Sequence, residues 1–124
     1  MDAKRILVVD DDPVVLEMVN DYLKDRGYEV FLHDRALGTL NQLKKVKADL
    51  VILDIDMPAL KGNKICDLIR KDGQFPFLKV LLYSVIDEKE LAKMAKEQGA
   101  DDYLRKSGNL AELGVKVQML LSEV

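Results

Sequence analysis

The chain has 124 residues, a length that suits one ordinary domain with a single sizeable core and leaves no room for a substantial second one. Apolar residues make up 48% and charged residues 33%, the balance of a globular protein, and a net charge of -3 argues against a strongly basic nucleic-acid surface. No run approaches the roughly 18 apolar residues of a membrane span, and "MDAKR" lacks the apolar stretch of a signal peptide, so the expectation is a cytoplasmic chain with no membrane partner.

In chain order, "RILVVD" (Arg5–Asp10) predicts a strand. A stripe at Val15, Met18, Val19, Tyr22 and Leu23, spaced i, i+3, i+4, i+7, i+8, predicts an amphipathic helix that Gly27 stops. "YEVFLH" (Tyr28–His33) reads as a strand of mixed polarity, with His33 expected in a surface loop at its end. "RALGTLNQLKKV" (Arg35–Val46) reads as a helix weakened by Gly38, and "DLVILD" (Asp49–Asp54) as an apolar strand. Ile65, Leu68 and Ile69 mark a third helix. Cys66, the only cysteine, falls in the same stripe as core filler. "FLKVLLYS" (Phe77–Ser84) is a fourth strand. The next helix opens with Asp87 and Glu90 at capping-box spacing and closes at Gly99. "DYLR" (Asp102–Arg105) is a short fifth strand. The last helix carries Leu110, Leu113, Val117, Leu120 and Leu121 on one face, with Asn109 and Glu112 as a second capping box.

Strands interleaved with helices predict an α/β fold, a parallel sheet covered on both faces. "ILVV", "LVIL" and "VLLY" are continuous apolar runs suited to central strands, whereas the two mixed strands suit edges. Right-handed crossovers then give a doubly wound five-stranded sheet of order 2-1-3-4-5 with five helices, the flavodoxin-like arrangement.

In such a sheet ligands sit outside the carboxyl ends of the strands, where the order reverses between strands 1 and 3. Asp10, Asp11 and Asp12 end strand 1, Asp54 ends strand 3 with Asp56 two residues on, Ser84 ends strand 4, and Lys106 follows strand 5. Asp12, immediately before Pro13, reads as a helix N-cap. Asp10 and Asp11 facing Asp54 would repel one another and raise one another's pKa unless a cation sits among them, and oxygen ligands in a small open cluster suit Mg²⁺. The other reading of Asp10 and Asp11 is a pair of solvated turn aspartates. A carboxylate beside Mg²⁺ and a lysine is equipped to attack a phosphoryl group, with Lys106 and the Ser84 hydroxyl touching its oxygens.

The combination resembles the receiver domain of bacterial two-component response regulators, of the chemotaxis-regulator kind, across the whole chain as a single receiver domain, 1–124. "VVDDD" resembles the family's acidic pair, "LDIDMP" with Gly62 its phosphoacceptor loop, "LLYS" its hydroxyl-bearing fourth strand and "GADDYLRK" its fifth strand with aromatic and lysine. The resemblance implies a regulatory domain rather than an enzyme, with Asp54 as phosphoacceptor and Asp10, Asp11, Asp54 and the Asp56 carbonyl around Mg²⁺, Asp11 being the more direct ligand of the acidic pair. It makes Lys106 the phosphoryl contact and Ser84 and Tyr103 a switch pair. Implied partners are a sensor histidine kinase or histidine phosphotransfer protein, a downstream output domain or protein, and a second copy at the face of helix 4, strand 5 and helix 5, with no direct nucleic-acid contact. Two positions depart from the family pattern. Ser107 follows Lys106 where the family usually has a cis proline, so a trans bond is expected, and branched Val85 follows Ser84 where a small residue is usual.

Two competing functions remain in view. "VILDIDMP" also resembles the Asp-x-Asp motif of haloacid-dehalogenase-type phosphatases, in which Asp56 would be a general acid, although that motif normally opens the fold. A pseudo-receiver that keeps the fold as an interaction module without using phosphate would accommodate Ser107 and Val85.

Overall fold

The apolar runs of the sequence form one parallel sheet. The computed structural model describes residues 2–57 and 62–122, with only the backbone at 62 and 63; Pro58 of the quoted "LDIDMP" loop lies outside them. The elements alternate as β1 (Arg5–Val9), α1 (Pro13–Lys24), β2 (Glu29–His33), α2 (Thr39–Val46), β3 (Leu50–Leu53), α3 (Gly62–Asp72), β4 (Lys79–Ser84), α4 (Glu88–Gln98), β5 (Asp102–Arg105) and α5 (Leu110–Leu121). The sheet order is β2-β1-β3-β4-β5, so the apolar β1, β3 and β4 are central and the mixed β2 and β5 are edges, as expected.

Alternation along the strands divides the core into two layers. Ile6 and Val8 of β1, Leu50 and Ile52 of β3, Leu81 and Tyr83 of β4 and Leu104 of β5 meet Leu16, Val19 and Leu23 of α1 and Leu113 and Val117 of α5. On the other face Leu7, Val9, Val51, Leu53, Val80 and Leu82 meet Leu43 of α2, Ile65, Cys66 and Ile69 of α3, and Leu91 and Ala95 of α4. The site inherits this parity.

Four expectations are corrected by the backbone and the packing. Gly38 does not weaken α2 from within; it sits at φ 85° as the N-cap, and the helix starts after it at Thr39. In α1 the buried stripe is Leu16, Val19 and Leu23, which rotates the helix and leaves Met18 43% exposed. Leu68 of α3 is 44% exposed, because Cys66 takes the inward position beside Ile65 and Ile69. His33 is the last residue of β2, half-buried, its Nε2 hydrogen-bonded to the Leu37 carbonyl at 2.7 Å.

The helix starts follow their caps. Asp12 Oδ1 accepts from Val14 N at 2.9 Å, Asp87 Oδ2 from Lys89 N at 3.1 Å, and Asn109 Oδ1 from Ala111 N at 3.0 Å. α4 ends at Gly99, whose φ of 80° favours a residue without Cβ. Arg70 of α3 fastens that corner: its Nε donates to Gly99 O at 2.8 Å, Nη1 to Leu78 O at 2.9 Å and Nη2 to Asp101 Oδ2 at 2.6 Å.

A Cβ at residue 99 would lie 3.1 Å from Arg70 Cγ as well as adopting a left-handed conformation. We expect Gly99→Ala to destabilise by about 1–2 kcal/mol. Thermal melting should show a drop of roughly 3–8 °C.

Candidate functional site

Register carries three charged residues to one place. Val9 pairs with Leu53, and the ladder runs one step past both strands, with Asp54 N donating to Val9 O at 2.9 Å and Asp10 N to His33 O at 3.2 Å. Asp10 and Asp54 thus follow matched residues, with the parity of Val8 and Ile52 that faces α1 and α5. Beyond β5, Lys106 N donates to Ser84 O at 2.7 Å, and Lys106 shares the parity of Leu104.

One carboxylate oxygen from each of Asp10, Asp11 and Asp54 lies within 4.8 Å of the others. Asp10 is 2% and Asp54 6% exposed, whereas Asp11 stands in solvent. Asp10 Oδ1 accepts from Asp12 N at 2.9 Å, and Asp10 Oδ2 takes the Lys106 ammonium at 2.6 Å. The same ammonium is 3.7 Å from Asp54 Oδ1, which also accepts from Asp56 N at 3.3 Å. Lys106 therefore places one positive charge between Asp10 and Asp54. The sequence alone places Lys106 at the strand ends but does not reveal its pairing with Asp10.

Burial pushes the Asp54 carboxyl above its ordinary range, Lys106 opposes this, the Asp10 charge adds to it, the Asp56 N–H opposes it and Asp11 adds to it. Asp54 is therefore a carboxyl group held among like charges with, among the described residues, the Lys106 ammonium in reach. Oxygen donors alone, from three aspartates, fit a hard divalent cation better than a soft one.

Ser84 and Tyr103 lie on the opposite face. Ser84 is fully buried, its Oγ accepting from Ile86 N at 3.3 Å. Tyr103 pairs with Leu82, two residues before Ser84, so both side chains leave the sheet toward α3 and α4. Tyr103 is half-buried, with the Lys116 ammonium 5.7 Å from its ring centroid and Lys116 bound to Asp102 at 3.0 Å. The Lys106–Ser107 bond is trans, as expected, and the turn falls to Gly108 at φ 80°. Val85 is 60% exposed, so its branched side chain stands largely in solvent.

One contact was not legible in the sequence. Tyr83, read only as part of an apolar run, places its ring centroid 5.6 Å from Lys106 Nζ. Strand parity was the available signal, since Tyr83 pairs with Leu104, two residues before the lysine. Cys66 is buried with its thiol pushed up to about 11, chiefly by burial, in keeping with core filler.

Known proteins carry the same architecture. Among solved structures, the response regulator TrrA of Thermotoga maritima, in complex with Mg²⁺-BeF, superposes with a TM-score of 0.84 at 36% identity over 95% of this chain and 99% of that one. The Vibrio cholerae chemotaxis protein CheY4 gives 0.88 at 28% identity, over 96% and 99%. The DNA-binding response regulator MtrA of Mycolicibacterium smegmatis is 33% identical over 95% of this chain and 50% of its own length, and the heme response regulator HssR of Staphylococcus saprophyticus 29% over 93% and 50%. The chain spans about half the length of the curated relatives it matches. The phosphatase and pseudo-receiver readings gain no support from these similarities. With the response regulator receiver domain model matching residues 6–118, the chain belongs to the family of response regulator receiver domains, regulatory domains that signal as phosphoacceptors.

Proposed function

We propose that Asp54 is the phosphoacceptor of this receiver and that the chain works as a Mg²⁺-dependent phosphorylation switch. The observation that carries the reading is the buried Asp54 beside the buried Asp10 at the carboxyl ends of parallel strands, with the Lys106 ammonium reaching both. An Asp54 carboxylate oxygen attacks phosphorus, a P–O bond forms, and the bond from phosphorus to the donor breaks with its electron pair leaving on the donor. Water later hydrolyses the acyl phosphate and restores the carboxylate.

Asp10, Asp11 and Asp54 would hold the metal with the Asp56 carbonyl as a further oxygen; Mg²⁺ supplies positive charge against the phosphoryl oxygens. The Mg²⁺-BeF complex of TrrA supports that choice. Lys106 turns its ammonium from Asp10 toward the phosphoryl oxygens as a point charge. The donor is a sensor histidine kinase or histidine phosphotransfer protein, and the place of work is the cytoplasm; no helix among the described residues is long and apolar enough to cross a membrane. The reader is an output domain or protein, or a second copy, at the face of α4, β5 and α5. MtrA, a DNA-binding regulator of which the chain matches half, supports an output carried by a separate segment.

Intact mass after incubation with Mg²⁺ and phosphoramidate should show one phosphoryl group on the wild type and none on Asp54→Ala. An equal gain in the variant would overturn the assignment. p-Nitrophenyl phosphate should scarcely turn over.

Because the folded-state pKa of Asp54 lies above its ordinary 3.8, the folded chain holds this proton where the unfolded chain has lost it. Its contribution to stability is full below 3.8 and is lost as pH rises through the folded value. At pH 7 without metal the wild type carries that cost. Asp54→Asn should melt higher by about 2–6 °C, on the order of 1 kcal/mol. The advantage should shrink as pH falls toward 3.8; melts in chelator at both pH values decide it.

Ser84→Ala should still take up phosphate at Asp54 yet show smaller amide-shift changes along residues 87–121, because the shared face of Ser84 and Tyr103 loses its hydroxyl. Wild-type changes across that face would remove Ser84 from the relay.

A further inference from the structure

We propose that Tyr83 is a positioning residue for Lys106, its ring supporting the ammonium so that it stays between Asp10 and Asp54. The proposal rests on the phosphoacceptor reading for its consequence and on geometry for its content.

Lysine is a flexible four-carbon stem ending in a point charge, and an ammonium that must serve two carboxylates needs its stem held. The backbone end is fixed by the bond from Lys106 N to Ser84 O at 2.7 Å. Beyond it Ser107 and Gly108 are exposed, and the turn is held by Ser107 Oγ accepting from Asn109 N at 3.4 Å, which leaves the lysine side chain itself without a backbone hold. The ring centroid of Tyr83 lies 5.6 Å from Nζ, inside the cation–π reach of about 6 Å. Tyr83 is 5% exposed and the Lys106 side chain 14%, so the contact is largely sheltered from water, where such attraction is strongest. Lys106 and Tyr83 line a small hollow of about 90 Å³ together with Val15, Met18 and Leu110, so the lysine borders an apolar surface.

The phenol suits this task. Burial first, then the Asp10 and Glu112 charges, push its ionisation upward, so the ring stays neutral and never becomes a competing anion beside the carboxylates. A tyrosine that only filled the core would act through volume and would affect the reaction equally with or without Lys106. Support of the ammonium makes a different demand, because the effect must vanish when the ammonium is gone.

The test uses the full chain, with Tyr83→Phe and Tyr83→Leu each made in the wild type and in Lys106→Ala. Initial rates of phosphorylation by phosphoramidate with Mg²⁺ are measured. Tyr83→Phe should stay within about twofold of wild type and Tyr83→Leu should be about fivefold slower. In the Lys106→Ala background Tyr83→Leu should add nothing. Equal slowing in both backgrounds, or no slowing in either, overturns the proposal.

The Lys106 side-chain proton shifts give a second readout, one that reports directly whether the ring lies against the ammonium. A ring-current displacement should be present in wild type and Tyr83→Phe and lost in Tyr83→Leu. Its absence in the wild type overturns the contact. Should Tyr83→Leu not fold, Tyr83→Met keeps the length of the side chain and removes the ring. If the wild type takes up no phosphate, the phosphoacceptor reading fails while the proton shifts still decide whether Tyr83 holds Lys106.

Discussion

Two carboxylates buried side by side at matched strand ends set the terms for the rest of this molecule. Asp10 and Asp54 each follow a paired residue of the central strands, so the register of β1 and β3 that packs the apolar core also forces like charges together. Burying an unpaired carboxylate costs several kcal/mol, and two of them cost more unless a cation intervenes. Within the described residues the cation in reach of both is Lys106, separated from Asp10 by 96 positions and delivered by the edge strand β5. Asp10, Asp11 and Asp54 cluster while the Lys106 ammonium meets Asp10 and Asp54, so these four groups retain an excess of negative charge that suits a further cation. The electrostatic demand and the proposed chemistry therefore have the same origin.

Strand parity separates the proposed phosphoacceptor site from the proposed relay of Ser84 and Tyr103. Asp10, Asp54, Tyr83 and Lys106 share the parity that faces α1 and α5, while Ser84 and Tyr103 face the layer of α3 and α4. β4 serves both sides with consecutive residues, Tyr83 under the lysine and Ser84 on the opposite face. Ser84 also accepts the Lys106 N–H through its backbone carbonyl, so the backbones of the lysine and the serine are joined by one hydrogen bond. Coupling between the two faces needs no long chain of contacts in such an arrangement, only a movement at the carboxyl end of one central strand.

Much of this was legible because it depends on local texture. Continuous apolar runs identified the three central strands, and the positions of Asp10, Asp54 and Lys106 at strand ends placed them together once the order 2-1-3-4-5 was derived, whereas Ser84, at the same end of the sheet, turns its side chain to the other face. Caps at Asp12, Asp87 and Asn109 followed from short-range chemistry. Features decided by tertiary contact were less legible. In α1 both Leu16 and Met18 are apolar, and only packing against the sheet selects Leu16 for the core. Leu68 lost its inward position to the smaller Cys66, and Gly38 starts the helix partway along a periodic pattern that ran through it. The partner of the lysine was hidden for the same reason, since nothing near Lys106 in sequence names Asp10, and the ring of Tyr83 could be placed only through the parity of β4 and β5.

The departure at Ser107 takes on a physical meaning in this light. A proline after the lysine would restrict the backbone there, whereas this chain has a trans bond to serine and then a glycine with positive φ. Little backbone restraint remains beyond the hydrogen bond to Ser84 O, and the burden of holding the ammonium shifts to side chains. Its resting position is asymmetric, 2.6 Å from Asp10 and 3.7 Å from Asp54. Movement toward Asp54 exchanges one carboxylate for the other without exposing the charge to water, provided the stem keeps its apolar support. A sheltered ring suits that role better than a directional partner would, because cation–π attraction varies gently with position whereas a hydrogen bond weakens steeply with misalignment. The lysine can therefore be held firmly as a group and still be free to move between its two partners.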